Sequence, residues 1–211
     1  MNPKEYSEQF NKLYNLLTEA CLNFYVWKGL QDKNFEKTFA ENSYFWSAVL
    51  FSLENNWLTS LAKLYENSSF SKKAKIISVY ALLPHQTDRM RAVKVQSILI
   101  LNTNVIKNIK KLRDNQLAHN NAKHLLDPKV ILKKFPINYG KVEQLLSATN
   151  QILSNLNPKT GHGYMYKMLV DDSENDGKQV VNKLEYHSKL NKAHLEKFRK
   201  GEVSSHRLPP P

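Results

Sequence analysis

Apolar residues recur at intervals of three and four along most of the chain, which is the spacing of one face of an α-helix. The first such segment contains Tyr6, Phe10, Leu13, Leu17, Phe24 and Trp27. It predicts a helix over residues 3–30, with Pro3 in the first turn and Gly29 near the end. The 211 residues include only 6 Gly and 8 Pro, so the turn signals of a many-stranded fold are few. The sequence therefore predicts an all-α fold.

The same spacing predicts further helices, and breaking residues indicate where they end. Residues 43–65 form a second helix after a polar connection, and we interpret the aromatic stripe of this helix as core. A short third helix is capped by Ser71 and stopped by Pro84. A long fourth helix, capped by Thr87, runs to residues 127–128 with an interruption near 102–104, and a fifth covers 142–156.

The composition changes after residue 157. We expect residues 1–157 to form a helical bundle, 158–177 a loop and polar linker, 178–203 a charged helix, and 204–211 a disordered tail. The charged helix has only a narrow apolar side. Because such a helix is seldom stable alone, we expect it to dock on its own domain or on a partner.

The balance of charges predicts a polyanionic partner. Lys and Arg total 31 against 19 Asp and Glu, which gives a formal net charge of +12. This surplus favours nucleic acid first and an anionic membrane second, although a biased composition would also produce it. The first ten residues are polar and the longest apolar runs are too short to span a bilayer. We therefore expect a cytoplasmic protein that does not associate with membranes.

The single cysteine, Cys21, lies within the apolar pattern of the first helix. One cysteine excludes a disulfide framework and a Cys-based zinc site. A buried structural thiol in a reducing compartment is the interpretation we adopt.

Residues 107–125 carry the side chains best suited to chemistry. Arg113 offers a planar, permanently charged fork for a phosphate, and His119 offers a group that titrates near neutrality. A phosphodiester reaction needs both, and RNA brings its own nucleophile, the 2′-hydroxyl, so no metal or other cofactor is required. Four lysines of this segment are the predicted nucleic-acid contacts: Lys107, Lys110, Lys111 and Lys123.

Helix geometry leaves the partner of Arg113 open. Positions six apart on a helix point about 120° away from each other, so Arg113 and His119 need not meet within one chain. Either the helix is distorted at Asn120, or the two side chains meet across a dimer axis. On an undistorted helix His124 lies within about 20° of Arg113, and it stays the rival candidate.

The stretch from Arg113 to His119 has five intervening residues and a polar follower, Asp114, and it resembles the Arg/His motif of the HEPN superfamily. Residues 57–66, followed by Lys-Leu-Arg-Asp at 111–114, resemble the AbiU-type abortive-infection branch. The resemblance covers about residues 10–156. It implies an up-and-down HEPN-like bundle of about five helices plus a C-terminal helical extension.

The resemblance also implies a function. It predicts a homodimer in which two Arg/His motifs face each other in a basic cleft and cleave RNA without a metal ion, as a toxin or phage-defence ribonuclease. Arg113 then clamps the phosphate and His119 acts as acid and base, with Asp114, Asn115 and Asn120 in support. An antitoxin or defence partner belongs to the same expectation. The alternative is a non-catalytic HEPN module that binds nucleic acid or a partner protein.

Overall fold

A computed structural model describes residues 1–31, 35–41, 43–66, 77–114, 138–157 and 163–200, with the backbone alone at 37, 163–171, 194 and 198. These ranges contain eight α-helices and no strand, so the predicted all-α fold is confirmed. The helices are α1 (Pro3–Leu30), α2 (Glu36–Glu41), α3 (Ser43–Leu64), α4 (Val79–Leu82), α5 (Arg89–Leu101), α6 (Thr103–Arg113), α7 (Tyr139–Leu156) and α8 (Gly163–Arg199).

Polar caps fix the starts of several helices. The Asn2 side chain accepts from the backbone N–H of Glu5 at 2.8 Å, and α1 has the bounds that its apolar spacing predicts. The prediction that Thr87 caps the fourth helix is wrong, because Asp88 occupies that position. Its Oδ1 accepts from the N–H groups of Met90 and Arg91 at 2.9 and 3.1 Å. A carboxylate is the stronger cap, since it also meets the positive end of the helix dipole.

The predicted fourth helix divides where its interruption was expected. Asn102 separates α5 from α6, and its side-chain amide donates to the Ile98 carbonyl at 2.8 Å. The side chain thus competes with the backbone for a helical acceptor, which favours a break. Of the predicted third helix, the described part is α4, capped by Ser78, while the predicted cap Ser71 lies outside the described residues.

The main core lies between α1 and the helices packed around it. Phe24 of α1 meets Trp57 of α3 edge-to-face, with ring centroids 5.4 Å apart, and both side chains are buried. Leu145 and Ile152 of α7 are fully buried in the same cluster. The aromatic stripe of α3 is therefore core at Trp57, whereas Phe45 at the other end of that helix is 60% exposed.

The predicted loop and linker over 158–177 is wrong from residue 163 onward, because α8 runs without a break from Gly163 to Arg199. This helix packs on α1. A Cβ at Gly29 would lie 2.4 Å from the Glu174 carbonyl oxygen, and one at Gly177 would lie 3.0 Å from the Val26 carbonyl oxygen. Part of the segment predicted as a linker therefore packs as a helix against α1.

Salt bridges and a small second core complete the attachment of α8. Lys28 of α1 pairs with Glu174 of α8 at 3.0 Å. The same ammonium group pairs with Glu143 of α7 at 2.7 Å. Val181 is buried in a cluster with Leu30, Phe35 and Trp46. Beyond that point several apolar side chains of α8 are about half exposed: Leu184, Leu190 and Leu195. Within the described ranges, no helix has both the length and the apolarity needed to cross a bilayer.

Candidate functional site: the junction of α6 and α3

The described part of the predicted site is the last turn of α6. Ile106, Ile109 and Leu112 face the core at intervals of three residues, which fixes the rotation of the helix. Lys107 and Lys111 consequently lie on its exposed side, and Lys110 and Arg113 lie at the boundary between core and solvent. No residue of α6 is acidic, and the first acidic residue after it is Asp114, which directly follows Arg113.

Arg113 is held by two carboxylates. Its Nε and Nη2 both donate to Oδ1 of Asp114, at 2.9 and 2.5 Å. Its Nη1 donates to Oε1 of Glu66, which is 47 positions earlier in the chain. The Arg113 side chain is 18% exposed, so most of it is shielded from water.

Glu66 reaches Arg113 because α3 ends beside the end of α6. Lys110 closes the arrangement: its Nζ donates to the Tyr65 carbonyl at 3.3 Å and lies 3.9 Å from Oε2 of Glu66. A cation at the carboxyl end of a helix also meets the negative end of the helix dipole. We call Glu66, Lys110, Arg113 and Asp114 the Arg113 cluster.

The base of the Arg113 cluster is anchored in the core. Tyr65 is fully buried, and its hydroxyl lies 2.5 Å from Oγ1 of Thr149 on α7. Thr149 in turn donates to the Leu145 carbonyl at 2.6 Å. Burial raises the pKa of Tyr65 well above its usual range, so the hydroxyl stays protonated and available as a donor. The end of α3 is thereby fixed against α7, and Glu66 follows directly after it.

The electrostatics of the cluster differ from those of the whole chain. Two cations meet two carboxylates, so the Arg113 cluster has no formal net charge although the chain carries +12. Burial alone would lower the pKa of Arg113, but its hydrogen bonds to Glu66 and Asp114 outweigh that effect and raise it. Arg113 is therefore a permanent, oriented cation, as phosphate binding requires.

The other predicted site residues lie outside the described residues: Asn115, His119, Asn120, Lys123 and His124. The pairing of Arg113 with His119, and the rivalry of His124, stay predictions. Glu66 is the residue that sequence reasoning missed. In the sequence, Glu66 is only the polar residue that follows an apolar helix. Its contact with Arg113 depends on the packing of α3 against α6.

A second group of polar side chains has a structural explanation. Tyr6 and Gln86 donate to carbonyls at the end of α7 at 2.6 Å each, and Arg91 donates to a third at 3.1 Å, all within residues 155–157. They satisfy carbonyls that a helix end leaves unpaired. Among the described side chains, no group of three or more His, Cys, Asp or Glu is placed to hold a metal ion.

An all-helical bundle in which Arg113 ends one helix, with five residues between it and His119 in the sequence, is typical of HEPN proteins. The family model for AbiU2, HEPN_AbiU2, matches residues 3–180, and the chain belongs to this family. The predicted resemblance to the AbiU-type abortive-infection branch is thus confirmed. The match extends past the predicted limit near residue 156 into α8. No curated protein and no solved structure matched the chain.

Proposed function

We propose that the chain is a metal-independent endoribonuclease of the toxin or phage-defence type, with Arg113 as the phosphate ligand of its active site. The observation that supports this most is the Arg113 cluster. The guanidinium of Arg113 is held by two carboxylates at a helix end, and its side chain is mostly shielded from water. Membership of the AbiU2 family supports the interpretation of Arg113 and His119 as the Arg/His motif that they resemble.

The proposed reaction needs no group beyond the chain and its RNA. The 2′-hydroxyl attacks the adjacent phosphorus while His119 removes its proton, and the phosphorus–5′-oxygen bond breaks. The leaving 5′-oxygen takes a proton from protonated His119, so the products are a 2′,3′-cyclic phosphate and a 5′-hydroxyl. Arg113 stabilises the negative charge that develops on the phosphoryl oxygens, where a pre-oriented cation has its greatest effect.

The test is cleavage of single-stranded RNA in excess EDTA. Arg113→Ala and His119→Ala should each lose cleavage by about 10²-fold or more, as expected when a transition-state donor or a proton-transfer group is removed. Lys12→Ala, at an exposed position of α1, is the matched control for loss of one cation. A substrate with one 2′-deoxyribose at the cleaved position should remain intact. Cleavage of that substrate, or full activity without Arg113, would refute the proposal.

The same proposal includes a homodimer, because Arg113 and His119 point to different sides of an ideal helix. Mixing Arg113→Ala chains with His119→Ala chains tests it directly. If each site takes Arg113 from one chain and His119 from the other, heterodimers regain one intact site, and about a quarter of the activity returns. If both residues act within one chain, no activity returns. A monomer in solution would refute the dimer.

The alternative proposal, a non-catalytic module that binds nucleic acid or a partner protein, has one observation in its favour. The outer face of α5 exposes four large apolar side chains: Met90, Val93, Ile100 and Leu101. Exposed apolar surface of this kind is typical of contact with another protein. Binding of RNA without cleavage, in a chain whose Arg113 and His119 are intact, would favour this alternative.

A further inference from the structure

The Arg113 guanidinium is already occupied by carboxylates in the free protein. Of its five N–H donors, one on Nε and one on Nη2 go to Asp114, and one on Nη1 goes to Glu66. A phosphate that binds side-on needs two neighbouring N–H groups of the fork. The two carboxylates therefore stand where phosphate oxygens would otherwise be bound.

We propose that Glu66 and an RNA phosphate compete for Arg113, and that the carboxylate is exchanged for the phosphate when RNA binds. The inference rests on the proposed role of Arg113 as the phosphate ligand. It adds Glu66, which follows the end of α3 and sets how readily Arg113 becomes available to a phosphate.

The contacts of Glu66 explain why it, rather than Asp114, is the carboxylate that leaves. Lys110 Nζ lies 3.9 Å from Oε2 of Glu66, so the carboxylate keeps a cation beside it after Arg113 turns to a phosphate. Lys110 itself is held by the Tyr65 carbonyl and stays in place. Asp114 adjoins Arg113 in sequence and engages the Nε edge, so it continues to orient the guanidinium while Nη1 is released.

The exchange also follows from the charges. With Glu66 paired, the Arg113 cluster offers an approaching polyanion no net attraction. When Glu66 turns to Lys110, Nη1 of Arg113 is free to donate to the phosphate. Removing the charge of Glu66 should therefore strengthen RNA binding through Arg113, whereas a carboxylate that only held Arg113 in position would weaken binding when removed.

The experiment measures binding of a short single-stranded RNA with 2′-O-methyl at every ribose, which has no nucleophile and stays intact. Glu66→Gln keeps the shape and a hydrogen-bond acceptor but loses the charge. We expect about fivefold tighter binding, the scale of a lost partly exposed ion pair. We also expect a slope of log Kd against log salt that is steeper by up to about 0.7, because the contact of Arg113 with a phosphate no longer replaces an ion pair within the protein. In the double variant with Arg113→Ala, both gains should disappear.

Matched variants and separate readouts decide the outcome. Glu8→Gln, an exposed residue of α1, removes the same charge elsewhere and should change affinity less than Glu66→Gln. Thermal melting checks that each variant is folded. Unchanged or weaker binding in Glu66→Gln, a gain that persists without Arg113, or no binding by either chain would each overturn the inference. A chain that shows the expected gain but leaves unmodified RNA uncleaved refutes the ribonuclease proposal alone.

Discussion

Substituting Gly29 by Ala tests the contact that attaches α8 to the bundle. On an isolated helix this change stabilises by about 1 kcal/mol, because Ala is the better helix former. In this protein the new Cβ would lie 2.4 Å from the Glu174 carbonyl oxygen and 3.3 Å from its carbonyl carbon. Ordinary contacts of a Cβ begin near 3.4 Å, so α8 must move by about 1 Å. The obstacle is backbone, which cannot rotate away as a side chain can.

The clash outweighs the helix propensity. Overpacking of this kind costs roughly 1–3 kcal/mol, and the displaced α8 also loosens the pairing of Lys28 with Glu174. We expect a net destabilisation of about 1–2 kcal/mol, which for a chain of this size lowers the melting temperature by roughly 2–8 °C. Circular dichroism gives the melting curve, and limited proteolysis reports whether α8 detaches first.

Gly177→Ala is the matched control, because its Cβ would lie 3.0 Å from the Val26 carbonyl oxygen and needs a smaller shift. The gain in helix propensity then largely offsets the strain, and the expected change in stability is within about 1 kcal/mol. A Gly29→Ala protein that melts at or above the wild-type temperature, with α8 equally protected from protease, would show that the crossing of α1 and α8 is not as close as described.

Three further outcomes follow from buried groups. Tyr65→Phe removes the hydroxyl bonded to Thr149 and should cost about 1 kcal/mol in the free energy of unfolding, measured in urea; an unchanged stability would contradict the anchoring of α3. Burial raises the pKa of Glu54, so the folded state favours its protonated form, and stability falls as pH rises from the unfolded-state pKa through the raised folded-state pKa. Glu54→Gln should therefore raise the melting temperature at pH 7 and change it little at pH 4, and the opposite order would refute this. Burial raises the pKa of Cys21 to about 12, so at pH 8 a thiol reagent should label it at the rate of unfolding rather than at the rate of a free thiol.

The apolar spacing of the sequence was sufficient for the helices that bury large side chains. The bounds of α1 and the break at Asn102 could be predicted because each depends on residues close together in the chain. The N-terminal half of α8 could not. Over residues 172–181, where burial is described, its buried residues are Ser173, Gly177 and Val181, at intervals of four. Two of these are small, so a search for large apolar residues finds a polar linker where a helix packs closely.

Gly29 is a second residue whose structural role could not be predicted from the sequence pattern. Its position near the end of an apolar pattern is typical of a helix stop signal, and α1 does end at Leu30. Its environment explains the glycine differently, because the Glu174 backbone occupies the space of a Cβ. A contact between residues 145 positions apart cannot be recognised from a local sequence pattern. Glu66 was missed for the same reason, since its role comes from the packing of two helix ends.

The charge of the chain and the neutrality of the Arg113 cluster act at different ranges. Residues 89–113 contain no Asp or Glu, and Arg89, Lys94 and Lys107 lie exposed along α5 and α6. Such cations attract a polyanion over about 8 Å at physiological salt, before any contact is made. Arg113 contributes to binding only after Glu66 has been exchanged for a phosphate. Under the proposed function, removing Arg113 should therefore reduce the rate of cleavage far more than the affinity for RNA, whereas removing Lys107 should weaken affinity and leave the rate of the bound complex nearly unchanged.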